Sequence, residues 1–227
     1  MYLLALETTG AHASAAIINE EGQTREKHSD GVLNHLQTLM PMVEGLLQEN
    51  GLSLGDITAV AASQGPGSFT GIRIGVASAR ALAQALGIKT IPVPTLKAFV
   101  YNIENDRSLI CPVFDARRDQ VYAGAYQWRR GEIAEVVKGA PYTIAEFLEK
   151  VGREENALFF GDGIQAYESW FARKTIAPEP ARFQKASSVA RLALRLYEAG
   201  QVVGYEDLKP DYMRKAEAER KLEGGNG

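Results

Sequence analysis

Near the start of the chain, Glu7, Thr8 and Thr9 set a carboxylate beside two hydroxyls just before Gly10, with Ser14 following shortly after. That chemistry suits a phosphate or a hydrated cation, and equally the hydrogen bonding of an ordinary turn. A second group is the run QGPGSFTGIRIG over 64–75, a glycine-rich turn opening a helix. Free N–H groups at a helix N-terminus attract anions, whereas the same sequence also makes a tight strand-to-helix turn. The lysine and spacing of a P-loop are missing. A third group comprises the acids Asp115, Asp119 and Asp162, all at turn positions. Asp115 and Asp119 flank Ala116, Arg117 and Arg118, a charged loop that is either solvated or turned toward a ligand. Asp162 lies between Gly161 and Gly163.

Metal and thiol chemistry find little material. The histidines are His12, His28 and His35, and none falls in an HxxxH or HExxH pattern. A catalytic metal usually takes three protein ligands, mainly from His and carboxylates. Cys111 is the single cysteine, so no intrachain disulfide forms and a reducing compartment fits. Composition is that of a soluble globular protein: 227 residues, 45% hydrophobic and 23% charged. The net charge of −3 argues against gripping nucleic acid through the overall field. Arg117, Arg118, Arg129 and Arg130 remain candidates for a local basic patch. The first residues have neither a basic region nor an apolar run of signal-peptide length, and no stretch is long enough to span a membrane. The expected location is the cytoplasm.

The elements that must position these groups follow from periodicity. Residues 2–6, 13–18 and 23–28 read as a three-stranded meander, followed by a helix in the 34–50 region. Pro41 either kinks that helix or marks its start. Leu33, Leu36, Met40, Val43 and Leu47 form one apolar line, with Leu39, Met42 and Leu46 beside it. Two lines mark either a well-buried helix or one shared between its own core and a partner. Then come a strand at 60–63, the helix at 70–86, a strand at 88–92 and a helix at 94–101. The helix at 70–86 is small-sided, with Gly71, Gly75 and Ala79 on one face, so another backbone can approach it closely. The second half repeats the order: strands at 109–114, 121–128 and 133–137, a helix from the Thr143 cap to Val151, a strand at 157–160, a glycine turn and a helix to about 172, and a last helix at 187–199. The expected division is a lobe at 1–104, a lobe at 105–213 and a flexible charged tail at 214–227.

Several segments together resemble the TsaB (YeaZ) family: LALETT at 4–9, NHLQTLMP at 34–41, QGPGSFTGIRIG at 64–75, VFDARRDQVYAGAY at 113–126, GDG at 161–163 and KPDYMRKAEAE at 209–219. The resemblance runs over nearly the whole chain. It implies an α/β, two-lobed actin, sugar kinase and Hsp70-like (ASKHA) fold with duplicated mixed β-sheet lobes. It also implies a role in making threonylcarbamoyladenosine at position 37 of tRNA. The paralogue TsaD performs the transfer with a metal held by a His-x-x-x-His pair, using an adenylate made separately by TsaC. The corresponding region here, IPVPTLKAFVY at 91–101, has no histidine.

The resemblance therefore implies a chain without catalytic or metal-binding residues. It would scaffold TsaD, with the ATPase TsaE joining, and would meet tRNA only within the complex. The family pattern places self-association or TsaD pairing on helices of the first lobe, here Leu36, Met40, Val43 and Leu47 with Ile72, Val76 and Arg80. The superfamily's nucleotide cleft maps to Glu7, Thr8 and Thr9 and to Gly161, Asp162 and Gly163, with weak ATP or ADP binding and no required cofactor. The alternative is a small ATPase or kinase of the same fold, which needs a general base and Mg²⁺ ligands in that cleft. A metalloprotease reading lacks its histidine motif.

Overall fold

A computed structural model describes residues 1–29, 34–104, 107–152 and 156–213. Leu33 of the apolar line and the tail at 214–227 lie outside the described residues. The first sheet contains β1 (Tyr2–Glu7), β2 (Ser14–Asn19), β3 (Thr24–His28), β4 (Ile57–Gly65) and β5 (Lys89–Pro94), in the order β3-β2-β1-β4-β5. Between them run α1 (His35–Glu49) and α2 (Phe69–Leu86), and α3 (Thr95–Phe99) follows β5. The second sheet contains β6 (Leu109–Asp115), β7 (Gln120–Arg129), β8 (Glu132–Thr143), β9 (Ala157–Phe160) and β10 (Thr175–Ile176), in the order β10-β9-β6-β7-β8. Its helices are α4 (Ile144–Val151), α5 (Asp162–Ala166), α6 (Glu168–Phe171) and α7 (Ala186–Glu198). The two sheet orders are the same when β6 stands for β1, so the duplicated, mixed two-lobed architecture is present.

Each central strand is apolar on both faces because both faces are covered. In β1, Leu4 and Leu6 point into a core with Val43, Leu47, Ile72 and Val76. Leu3 and Ala5 point the other way, into a core with Val189, Leu192 and Ala193 of α7. The same alternation recurs in β6. Cys111 and Val113 pack with Phe147 of α4, and Ile110 and Phe114 pack with Leu96 and Phe99.

These contacts correct the lobe boundary. The sheets divide near residue 105, but α7 covers the sheet of the first half, and α3 lies between the halves, with Ala98 in the first core and Leu96 and Phe99 in the second. Phe99 of α3 lies 5.1 Å from Phe114 and 4.5 Å from Phe160 of the second lobe, ring centre to ring centre. Helix α7 packs on the first sheet, and its start is held there by side chains. The Ala186 N–H donates to Ser14 Oγ at 2.8 Å, and the Ser187 N–H and hydroxyl donate to the Glu26 carboxylate at 2.9 and 2.8 Å. Helix N-termini leave N–H groups without partners in their own turn, and here the first lobe supplies them. Residues 201–213 stay with the first lobe too. Val203 pairs with Thr90 on the outer edge of β5, and Leu208 is fully buried beneath α2.

Some local signals translate directly. Thr143 and Glu146 form a reciprocal capping box at α4. Gly87 ends α2 in the left-handed conformation, at φ 66°. Asn34 makes no side-chain cap at α1, and Pro41 lies inside that helix rather than at its start. The helix expected up to residue 172 is broken at Tyr167 into α5 and α6.

Candidate functional site

A cleft of about 550 Å³ opens between the lobes. Its first-lobe wall is the β1–β2 turn and the start of α2, with Thr9, Gly10, Ser68 and Thr70. Its second-lobe wall carries Asp115, Arg117, Tyr122 and Asp162, and Gln184 reaches it from the connection into α7. Of the residues that the resemblance maps to a nucleotide cleft, Thr9 and Asp162 line this one. Glu7, Thr8, Gly161 and Gly163 are close in the chain but do not line the cleft.

Glu7 points inward. Its carboxylate accepts hydrogen bonds from the Ser63 hydroxyl, from the Thr9 N–H at 2.5 Å and from the Thr9 hydroxyl at 2.6 Å. Burial raises its pKa above the ordinary carboxylate value, and these hydrogen bonds oppose part of that rise. Thr8 is buried as well, donating from Oγ1 to the Gly71 carbonyl at 2.7 Å. A Cβ on Gly71 would lie 1.9 Å from the Thr8 carbonyl oxygen, and one on Gly75 would lie 2.5 Å from Thr8 Oγ1. The close approach that makes α2 small-sided is therefore made by the chain's own first turn. The anion reading of the α2 start is also blunted. The Ser68 N–H donates to the Thr9 carbonyl at 2.9 Å, and the Gly71 N–H to Ser68 Oγ at 3.2 Å.

The acids on the opposite wall brace a turn. Asp115 Oδ1 accepts from the Arg117 N–H at 2.7 Å and from the Tyr167 hydroxyl at 2.9 Å, while Oδ2 pairs with the Arg117 guanidinium at 3.1 Å. Asp162 in turn accepts the Asp115 N–H at 3.0 Å. These bonds hold Arg117, Arg118 and Asp119 at φ 64°, 56° and 56°, a left-handed run costly for non-glycine residues. Gly161 and Gly163 allow close packing on β6, since a Cβ there would meet Val113 atoms at 2.2 and 2.8 Å. The arginine patch does not form. Arg117 and Arg129 bracket the ten-residue strand β7, putting them roughly 30 Å apart at about 3.3 Å per residue.

The remaining reactive groups are dispersed. His28 pairs with Glu26 at 3.2 Å, and His35 is buried with Nε2 3.0 Å from the Gly10 carbonyl. Burial pushes the Cys111 thiol well above its ordinary value, away from nucleophilic use. Among the described residues no group of three His, Cys, Asp or Glu side chains is placed to hold a metal ion. Nor is any helix among them long and apolar enough to cross a membrane.

The helix-face residues split into two sets. Val43, Leu47, Ile72 and Val76 are buried in the first lobe's own core, so they are corrected from interface to core. Helical spacing marks a residue as apolar-facing but does not say which body it faces. Leu36 and Met40 are 76% and 38% exposed, and Arg80 is partly exposed.

A family model described as TsaD, tRNA N6-adenosine threonylcarbamoyltransferase, matches residues 17–222. The tRNA threonylcarbamoyladenosine biosynthesis protein TsaB of Bacillus subtilis (strain 168) is 33% identical over 226 residues, covering 97% of each chain. The chain belongs to the TsaB family. The TsaB of Escherichia coli (strain K12) is 30% identical, with 99% of each chain covered. A solved structure, YeaZ from Pseudomonas aeruginosa, matches with a TM-score of 0.81 at 28% identity, covering 93% of this chain and 99% of the other. This TsaB-family chain and its YeaZ relative thus share the two-lobed fold across nearly their full lengths.

Residue-by-residue reading of the sequence missed Ser63, the inner partner of Glu7, and Gln184, the cleft residue from the far connection. It also missed the surface cluster of Phe69, Arg73 and Tyr212. Each depends on a contact distant in sequence, with no local signal.

Proposed function

We propose that this chain acts in tRNA threonylcarbamoyladenosine biosynthesis as a non-catalytic subunit that pairs with TsaD. TsaE joins the assembly, tRNA is met only by the complex, and free copies self-associate through the same helical face. The observation that carries the non-catalytic reading is Glu7. The one carboxylate of the first hairpin turns into the core and is held by Ser63 and Thr9, leaving the cleft without that group as a base or cation ligand. Asp115 and Asp162 are likewise engaged in bracing the 115–119 turn. ATP or ADP entering the cleft binds weakly, and calorimetry finding tight binding with turnover by the isolated chain would favour the ATPase reading instead.

The pairing surface is the outward side of α1 and α2, which lie in one layer over the same core. Leu36 and Met40 stand one turn apart on α1 and are exposed. Large exposed apolar side chains on a helix face are the material of an interface core. The double variant Leu36→Asp with Met40→Asp leaves folding nearly intact, since both side chains are at the surface. It abolishes the complex with TsaD in light scattering, and with it threonylcarbamoyl transfer to tRNA. A double variant that still forms the complex with wild-type affinity removes this surface from the reading.

A further inference from the structure

On the outward side of α2, Arg73 sits in an aromatic clamp closed by the far end of the described chain. Its guanidinium carbon lies 4.0 Å from the centre of the Phe69 ring and 5.7 Å from that of Tyr212. The two rings stack at 4.8 Å, and Arg73 Nε donates to the Tyr212 hydroxyl at 2.8 Å. Tyr212 is brought there by a strap. Leu208 is buried beneath α2, and the Asp211 N–H donates to the Gln64 carbonyl at 2.7 Å. The strap fits closely over the turn before α2, where a Cβ on Gly65 would meet the Asp211 carbonyl oxygen at 2.3 Å.

The clamp holds Arg73 in one orientation through Nε and the two rings. Arg117, Arg191 and Arg195 each pair with a carboxylate; among the described residues Arg73, like Arg80, has no carboxylate partner. A guanidinium held in place by stacking loses less freedom when it forms a forked pair with a carboxylate. Phe69 and Tyr212 are exposed beside it, and aromatic residues with arginine are the side chains enriched at binding hot spots.

We propose that Arg73, clamped by Phe69 and Tyr212, is the receptor for a carboxylate side chain of the partner protein, and that the 201–213 strap prepares it. This rests on the reading that α1 and α2 meet TsaD. A protein carboxylate is favoured over a nucleic-acid phosphate because a phosphate backbone needs several cations along its path, and α2 carries only Arg73 and, two turns on, Arg80.

The test is calorimetric titration of the full-length chain with TsaD, without tRNA, at two salt concentrations. Arg73→Ala weakens binding about 10- to 100-fold, the range for a charged hot spot, and flattens the salt dependence. Arg73→Lys does not restore it, because lysine lacks the planar fork. Tyr212→Phe keeps the ring stack, loses the hydroxyl and falls between wild type and Arg73→Ala. Wild-type affinity in Arg73→Ala alongside loss in the Leu36 and Met40 double variant overturns the carboxylate receptor and leaves the helical interface standing. Wild-type affinity in both overturns the interface as well. Three other results also overturn the proposal. One is equal weakening at both salt concentrations, which marks Arg73 as packing only. The second is an effect seen only in tRNA retention by the assembled complex, which marks a phosphate contact. The third is loss of the Arg73→Ala effect when residues 214–227 are removed, which marks the chain's own tail as the occupant.

Discussion

At the scale of single residues, Glu7 carries an acid–base consequence. Its folded-state pKa is raised, chiefly by burial, so the folded protein holds its proton more tightly than the unfolded chain does. Stability from this group is fully present below the unfolded value and is lost as pH rises through the folded value. Glu7→Gln keeps an acceptor toward Ser63 and Thr9 and removes the ionisation. The expected outcome in denaturant titrations is a variant whose stability, relative to wild type, improves from pH 4.5 upward. A constant difference between the two proteins across pH 4.5 to 8 would show that Glu7 does not carry this linkage. The residue types here were legible in sequence as a carboxylate among hydroxyls. Their direction was not, because the decisive donor, Ser63, lies fifty-six residues away and periodicity says nothing about which side of a turn a polar group takes.

At the scale of elements, the contact between the first turn and α2 explains both glycines of that helix. Strand and helix positions were readable because apolar spacing follows the period of each element. The reason for small residues on α2 was not, since a stripe of that kind fits any close neighbour and Thr8 is remote in sequence. Gly71→Ala puts a methyl 1.9 Å from the Thr8 carbonyl oxygen. Backbone must shift, and thermal or chemical denaturation should show a loss of about 3 kcal/mol or more. Gly75→Ala meets only the Thr8 hydroxyl, at 2.5 Å, and its cost is smaller. Combining it with Thr8→Ala removes the clashing atom, so the double variant is more stable than the sum of the single changes implies. Strict additivity in that cycle would place the strain elsewhere. The same contact ties the cleft wall to the outward face of α2, because Thr9 and Ser68 share a hydrogen bond at its start.

At the scale of the molecule, the crossing of α7 to the first sheet and the sharing of α3 between the two cores make the lobes interdependent. Duplication was visible in the repeated order of elements, but not the crossing. The apolar side of α7 is evident from Val189, Leu192 and Ala193, and an amphipathic pattern does not name the sheet that covers it. Since α7 buries those residues on the first sheet and Phe99 enters the second core, neither lobe completes its core alone. Burying each large apolar side chain contributes about 1.5–3 kcal/mol, so losing a closing helix removes a large part of the stability of a domain this size. Unfolding should therefore be one cooperative transition. Trp128 is a built-in reporter of the junction. It stands on β7, its Nε1 donates to the Ile103 carbonyl at 2.7 Å, and its ring packs edge-on against Tyr101 at 5.1 Å. In urea, Trp128 fluorescence (read in a Trp170→Phe background) and far-ultraviolet circular dichroism share one midpoint. Val189→Asp puts a charge into the core between α7 and the first sheet, against which Trp128 of the second sheet also packs, and lowers both midpoints together. Separate midpoints, or a Val189→Asp variant in which the Trp128 transition keeps its wild-type position, would mean that the lobes unfold independently.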